Sequence, residues 1–423
     1  MSTDVSTFTS IEQVLDARAI TTVFQPVVRL GRGGSPHEIV GMEALTRGPR
    51  NTPWESPLEL FRAAGDAGRL AELDWICRAG AYRAAIDNDL PDGITLFVNA
   101  EPDALGTPCP PDLTDTILAA QLRLRVVTEL PERALTADPG RLLAAVAACR
   151  STGGGVALDD IGTDPRSLAL LTFVHPDVVK LDPQLVREPS GSSAAHVVNA
   201  AVAYAERSGA TLLAEGIETE AHLAAARSGG ASLGQGWLFD HPGPLPLLGA
   251  NLQSPRRTVP FVIAPPGEDA GSPRTPYEIV TAGRPTTEVD KRQLLTTARL
   301  VETRALNLAE PPVLLASFQD GRHFTAATAE RFSRYAVSSS LVVAFAEELP
   351  SQPAAGVRGV ALPPGDPLRD EWAVIAVGPH FAAALVALDL GDTGPDGERR
   401  FAHALTYDRE VVVDAARALL GRL

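Results

Sequence analysis

Between residues 23 and 239, short apolar runs of strand character alternate repeatedly with longer stretches rich in Ala, Leu and Arg. The apolar runs are Val23–Leu30, Ile39–Leu45, Ile94–Asn99, Leu122–Glu129, Val156–Asp160, Val178–Leu181, Thr211–Glu215 and a shorter Gly236–Phe239. Between them lie helix-like stretches such as Ser56–Asn88, Pro139–Arg150 and Ala194–Ser208. Strand, helix, strand repeated this often predicts a parallel sheet. About eight strands in about 240 residues suit a closed (β/α) barrel of the TIM type better than an open sheet.

Nearly every apolar run ends in an acid, an amide or an amine: Glu43, Asn99, Glu129, Asp159 with Asp160, Lys180 followed by Asp182, and Glu215 with Glu218 soon after. Any one of these has an ordinary reading as a helix N-cap or loop acid. In a barrel, however, the strand ends converge on one mouth, and carboxylates gathered there are costly unless cations compensate them. Glu43, Glu129, Asp159, Asp160 and Glu215 carry five negative charges and Lys180 returns one. Two divalent ions would cancel the remainder. Hard oxygen donors with one amide suit Mg²⁺ or Mn²⁺. Such a pair can activate a water and clamp a phosphoryl oxygen, which points to hydrolysis of a phosphate ester. Lys180 then orients the water or offsets transition-state charge; its alternative is a core-edge lysine paired with Asp182.

The surrounding composition narrows the partners. Lys and Arg number 37 against 52 Asp and Glu, a net charge of −15. A surface so acidic disfavours binding to nucleic acid polymers or anionic lipid. With 45% hydrophobic and 21% charged residues, the chain has ample apolar surface for packed cores. The spacing of Cys77, Cys109 and Cys149 fits neither a zinc site nor a disulfide framework, so reduced, buried thiols are expected. The N-terminus lacks the basic and apolar regions of a secretory signal, and no run is long and apolar enough for a transmembrane helix. A cytoplasmic protein without membrane insertion is expected.

At Glu43-Ala44-Leu45 the segment resembles the EAL family of bacterial cyclic-di-GMP phosphodiesterases. The likeness runs through ordered blocks. Phe24-Gln25-Pro26-Val27-Val28 resembles the family's FQPIV, Glu43-Ala44-Leu45-Thr46-Arg47 its EALxR, Phe97-Val98-Asn99 its VN strand and Val127-Thr128-Glu129 its ITE. Asp159-Asp160-Ile161-Gly162-Thr163 resembles DDFGT, Val179-Lys180-Leu181-Asp182 resembles VKID, Ala214-Glu215-Gly216-Ile217-Glu218-Thr219 resembles AEGVET, and Gln235-Gly236-Trp237-Leu238-Phe239 resembles QGYLF. The resemblance implies a TIM-like barrel that linearises cyclic-di-GMP to pGpG with two Mg²⁺ or Mn²⁺ ions. It implies Glu43, Asn99, Glu129, Asp159, Asp160 and Glu215 as metal ligands, and Lys180 beside the attacking water. Glu218 becomes a support for the loop after Asp160, and Gln235 a polar residue lining the metal site. Gln25, Leu45, Arg47, Asp182 and Gln235 become substrate contacts. Arg47 suits phosphate by its planar fork, although alone it reads equally as a surface salt bridge. A homodimer of barrels is also implied. The chain departs from the pattern at Ile161 and Asp164, where the family has Phe and Gly, and at Val126, His222 and Trp237. The first two lie in a loop that in the family links the active site to the dimer interface, so loop coupling is the property they bear on.

A Pro- and Gly-rich stretch reads as a linker over 251–275, dividing a barrel at 1–250 from a smaller mixed α/β module at 276–423. Apolar Val259–Ile263 gives the linker an alternative reading as an arm docked on one domain. In the second module Val313–Phe318, Leu341–Phe345, Trp372–Val377 and Ala383–Leu390 read as strands, and Lys291–Leu308 and Arg409–Leu423 as helices. Phe318-Gln319, Asp366-Pro367-Leu368, Glu371-Trp372 and the run from Phe401 to Arg409 resemble the DICT sensory domain. Glu371, Trp372 and His403 read either as core residues or as the lining of a sensor pocket for an unknown signal. The expected function is hydrolysis of cyclic-di-GMP regulated by this module. The alternative is a receptor that binds the dinucleotide without turnover and signals through the C-terminal module.

Overall fold

A computed structural model describes residues 8–31, 37–188, 191–245, 274–392 and 395–423; the linker expected at 251–275, with its docking reading, lies outside the described residues. The chain folds as two compact units. The second takes in the described residues from 274 onward together with Leu135–Leu143 and Asp164–Val174.

The first unit is a closed eight-stranded barrel. Its strands are β1 (Thr21–Arg29), β2 (Glu38–Arg47), β3 (Thr95–Asn99), β4 (Arg125–Pro131), β5 (Gly155–Ile161), β6 (Val178–Leu181), β7 (Thr211–Ala214) and β8 (Leu233–Gly234). From β2 to β8 neighbouring strands are parallel, but β1 runs antiparallel to both β2 and β8. The uniformly parallel sheet expected from the alternation is therefore corrected at its first strand. Only eight residues separate β1 from β2, and a connection that short can only reverse the chain into a hairpin. Pro26 is tolerated inside this barrel strand because of that arrangement. The Phe24 amide donates to the Gly243 carbonyl at 2.7 Å, and β1 pairs with β8 only at Val28 and Arg29. The missing N–H of Pro26 falls in the gap between those contacts.

Two other boundaries differ from the sequence reading. The long helical stretch is two helices, Pro57–Asp66 and Leu70–Asp87, parted at Gly68 with φ +68°. The last strand lies at Leu233–Gly234 rather than at Gly236–Phe239, because the backbone at Gly236 passes Ile217 too closely for ladder geometry. A Cβ on Gly236 would stand 2.1 Å from the Ile217 carbonyl oxygen.

One apolar residue from each strand fills the barrel interior: Val27, Val40, Phe97, Val127, Ala157, Val178, Leu213 and Leu233. Gly41 makes room for the Phe97 ring, whose edge lies 2.6 Å from where a Cβ would sit. Cys77 and Cys149 are buried free thiols and Cys109 is half-buried. No helix among the described residues is long and apolar enough to cross a membrane.

The second unit is built on a seven-stranded mixed sheet of β9 (Thr287–Asp290), β10 (Val313–Asp320), β11 (Leu341–Glu347), β12 (Arg358–Ala361), β13 (Glu371–Val377), β14 (Ala382–Asp389) and β15 (Arg400–Thr406). Their order is β12-β11-β10-β13-β14-β15-β9. Alternate residues such as Leu314, Ala316 and Phe318, or Ala383, Leu385 and Ala387, point to one face and pack on helices Lys291–Leu306 and Ala326–Ser338. The opposite face is covered by Arg409–Leu420 and by Pro276–Thr281. The latter helix begins with a reciprocal cap between Thr275 and Glu278.

Candidate active site

The barrel's interior layer dictates what stands above it. Side chains on one face of a strand recur every second residue, about 7 Å further along. Two residues beyond Phe97, Val127, Ala157, Val178, Leu213 and Leu233 come Asn99, Glu129, Asp159, Lys180, Glu215 and Gln235. Two beyond Gly41 comes Glu43, and on the reversed β1 the same step from Val27 leads backwards to Gln25, which pairs with Glu43 in register. The apolar floor thus carries a polar storey made of one side chain from each strand or the turn just beyond it.

Lys180 is the centre of this storey. Its Nζ lies 2.8 Å from Glu129 Oε1, 2.8 Å from Asp159 Oδ1, 3.0 Å from Glu215 Oε1 and 3.6 Å from Glu43 Oε1. It does not pair with Asp182, which instead caps helix Pro183–Arg187 by accepting from the Gln184 amide at 2.7 Å. Glu43 is bracketed by two amides: Asn99 Nδ2 donates to its Oε1 at 3.1 Å and Gln235 Nε2 to its Oε2 at 2.5 Å. Gln235 also donates to Gln25 Oε1 at 3.1 Å, and Gln25 donates to the Asp240 carbonyl. Gln25, Glu43, Glu129, Lys180 and Gln235 are all buried.

Their electrostatics follow from that burial. Desolvation opposes the charge on Lys180, but the four surrounding carboxylates outweigh it and hold the ammonium well above the usual lysine range. Burial and the neighbouring Glu43 push Glu129 well above the carboxylate range. Burial likewise raises Glu215, against the pull of Lys180. Glu43 resists burial and stays below its ordinary value because Lys180 and the Gln235 amide stabilise its anion. Asp160 sits where the β5–β6 register breaks, with φ +58°, and burial with the adjacent Asp159 raises its carboxyl to about 6.

The donor set fits hard divalent cations. Carboxylate oxygens of Asp159, Asp160 and Glu215 lie within 4.8 Å of one another. Glu129 Oε2 and Gln235 Oε1 are buried and accept no hydrogen bond. Unsatisfied acceptors at a crowded anionic centre are what a cation resolves.

The remaining expected residues stand at the rim. Leu45 and Arg47 are half-buried at the end of β2, where Arg47 donates to the Thr46 carbonyl and lines an open groove with Thr52 and Glu55. Glu218 pairs with Arg187 at 2.7 Å rather than holding the loop after Asp160. The side chain on that loop is Glu132, which the sequence reading passed over. Its carboxylate accepts from the Gly162 and Thr163 amides, each at 3.0 Å, and from the Thr163 hydroxyl. Gly162 has φ +121°, and a Cβ there would meet Leu185 at 2.7 Å. Ile161 is buried, and Asp164 caps the turn Pro165–Ser167 through the Arg166 amide.

Known proteins are similar to this chain in sequence. A protein of Escherichia coli named "Probable cyclic di-GMP phosphodiesterase PdeB" is 28% identical over 239 residues, 54% of this chain and 44% of that protein. The Pseudomonas aeruginosa "Cyclic di-GMP phosphodiesterase NbdA" is 28% identical over 60% of this chain and 32% of its own length. The chain thus spans less than half the length of these relatives. A Klebsiella pneumoniae BlrP1 structure, a calcium and cyclic di-GMP complex, is 30% identical over 54% of this chain and 56% of that one, with a TM-score of 0.46. Residues 278–390 match the DICT domain, described as a sensory domain in diguanylate cyclases and two-component systems. Residues 9–242, more than half of the chain, match the EAL domain, and the protein belongs to the EAL domain family.

Proposed function

We propose that the barrel hydrolyses cyclic-di-GMP to linear pGpG using two Mg²⁺ or Mn²⁺ ions, and that the C-terminal module regulates this activity in the cytoplasm. The observation that carries the reading is the buried Lys180 ammonium within 3.6 Å of four carboxylates, three on different strands and Glu215 just beyond a fourth. A core has no structural need for so many acids, whereas phosphodiester hydrolysis needs concentrated cationic charge held by them. Glu43, Asn99, Glu129, Asp159, Asp160 and Glu215 are the residues to hold the ions, which when bound supply an activated water and offset charge on the phosphoryl oxygens. Lys180 donates hydrogen bonds toward the attacking water and stays cationic as charge develops. Gln235 and Asn99 fix the rotamer of Glu43. Gln25, Leu45, Arg47 and Asp182 face the dinucleotide, with Arg47 offering its fork to a phosphate.

The test is conversion of cyclic-di-GMP by the purified chain in Mn²⁺ or Mg²⁺, with pGpG resolved by chromatography. Glu43→Ala is expected to lower turnover by about a thousandfold, since it removes both a metal ligand and the acceptor of two amides. Tight binding of the dinucleotide in the presence of metal, without product, would establish the receptor reading instead. The same resemblance supports a homodimer, which light scattering on the full chain tests: a concentration-independent monomer contradicts it.

A further inference from the structure

A cavity large enough for a small molecule lies outside the barrel. It lies in the second unit, about 710 Å³ in volume, between helices Lys291–Leu306 and Ala326–Ser338 and the end of β10. That is the size of a small-molecule site. Its floor is apolar and aromatic: Leu295, Ala298, Phe318 and Trp372. Phe318 packs edge-on against both Phe324 and Phe332, at centroid distances of 5.2 and 5.4 Å, so the floor is rigid.

Three independent features mark this cavity as built. First, the β10–β11 register breaks between Ser317 and Asp320, and Gln319 at the break adopts φ +62°. A bulge re-aims side chains, and left-handed backbone at a non-glycine residue carries strain that the surroundings must hold. Second, the ring of Trp372 lines the cavity while its N–H is buried without an acceptor, so the residue offers the cavity an aromatic surface. Third, the ionic groups are unequally satisfied. Arg331 is committed to the buried Glu302 at 2.9 Å, Lys291 to Asp396 at 2.6 Å, Arg322 to Asp320 at 3.3 Å and Arg399 to Asp389. Arg299 makes no hydrogen bond or ion pair among the described residues and adds only its field at Glu302. With five cations against those four acids, the cavity retains about one positive charge. The uncommitted cation is Arg299, so the occupant it selects is an anion. The local field agrees: burial lowers the His323 pKa, and Lys291, Arg322 and Arg399 lower it further, despite its bond to the Phe318 carbonyl.

We propose that this cavity binds a small flat organic anion, an aromatic ring bearing a carboxylate or phosphate. Its acid group faces Arg299 and its ring lies against Phe318, Leu295 and Trp372. The ligand is the input that the second unit reads, and nothing in this assignment depends on turnover by the barrel.

The experiment titrates the full chain, in chelator so that the barrel's acidic storey holds no cation, with naphthoate, naphthyl phosphate and the neutral naphthalenemethanol. Calorimetry and tryptophan fluorescence read binding. One saturable site per chain is expected for at least one of the two acids, and the better acid names the preferred head group. The alcohol is expected to bind about tenfold more weakly, the difference between a charge-assisted and a neutral contact. Arg299→Glu, at an exposed position that does not threaten folding, is expected to weaken the acid by at least about tenfold. Trp372→Phe, which leaves a smaller aromatic surface on the floor, is expected to weaken it several-fold. Absence of saturable binding by either acid, equal binding of the alcohol, or unchanged affinity in both variants overturns the proposal.

Discussion

Lys180 holds together charges that would otherwise repel. Four carboxylates share its ammonium, and three of them lie within 3.0 Å. Replacing it with methionine keeps the volume and removes the charge, leaving buried acids uncompensated. In chelator, Lys180→Met is expected to lose about 3 kcal/mol of stability in a denaturant titration, the usual cost of breaking a buried pair from one side. Saturating Mn²⁺ is expected to recover part of that loss. Another buried acid gives a pH signature in the second unit. Glu371 is almost fully buried and accepts from the Tyr277 amide at 3.1 Å, and burial raises its carboxyl to about 7. The folded chain therefore holds this proton more tightly than the unfolded chain does. The stabilisation is complete below the ordinary carboxylate pKa and is lost as pH rises through about 7. Thermal melts between pH 5 and 8 should show a falling contribution of roughly 3 kcal/mol that Glu371→Gln removes. Trp372, next in sequence, points to the other face of β13 and lines the cavity, whereas half-buried His403 hydrogen-bonds the Thr287 carbonyl away from it.

Secondary-structure elements were legible to the extent that their side chains alternate. The polar storey could be read from strand ends because each acid or amide follows its apolar partner by two residues, as Glu129 follows Val127 and Lys180 follows Val178. The reversal of β1 was not legible, since Phe24–Val28 carries the same apolar pattern in either direction. Nor was Glu132. It lies past the end of β4, and its role depends on a loop thirty residues onward that only the fold brings back. Residues 358–361 and 400–406 escaped as strands because RGVA and RFAHALT carry too few apolar residues in sequence. Glu132→Ala removes a charged acceptor from two amides, contacts worth about 1.5–3 kcal/mol each. Hydrogen exchange at Gly162 and Thr163 is expected to speed up at least about tenfold, with β4 and β5 protection unchanged.

For the whole molecule, the proposed metal centre predicts that stability of the first unit depends on divalent ions. A ligand that binds only the folded state stabilises it by about 2.7 kcal/mol at a hundred times its Kd. For a unit of this size that corresponds to a rise of roughly 5–10 °C in Tm. Calorimetry with and without Mn²⁺ is expected to move the barrel transition by that amount and to leave the second unit's transition in place. No shift would remove the support for a metal centre.

The antiparallel first strand also has a consequence in time. β1 is closed by Leu233 and Gly234, some two hundred residues downstream, and by Gly243 bonding to Phe24. A nascent chain leaving the ribosome cannot seal the barrel until that last segment clears the exit tunnel. Until then the hairpin of β1 and β2 presents a bare edge, and every truncation ahead of residue 233 is expected to leave it open to pairing with other chains.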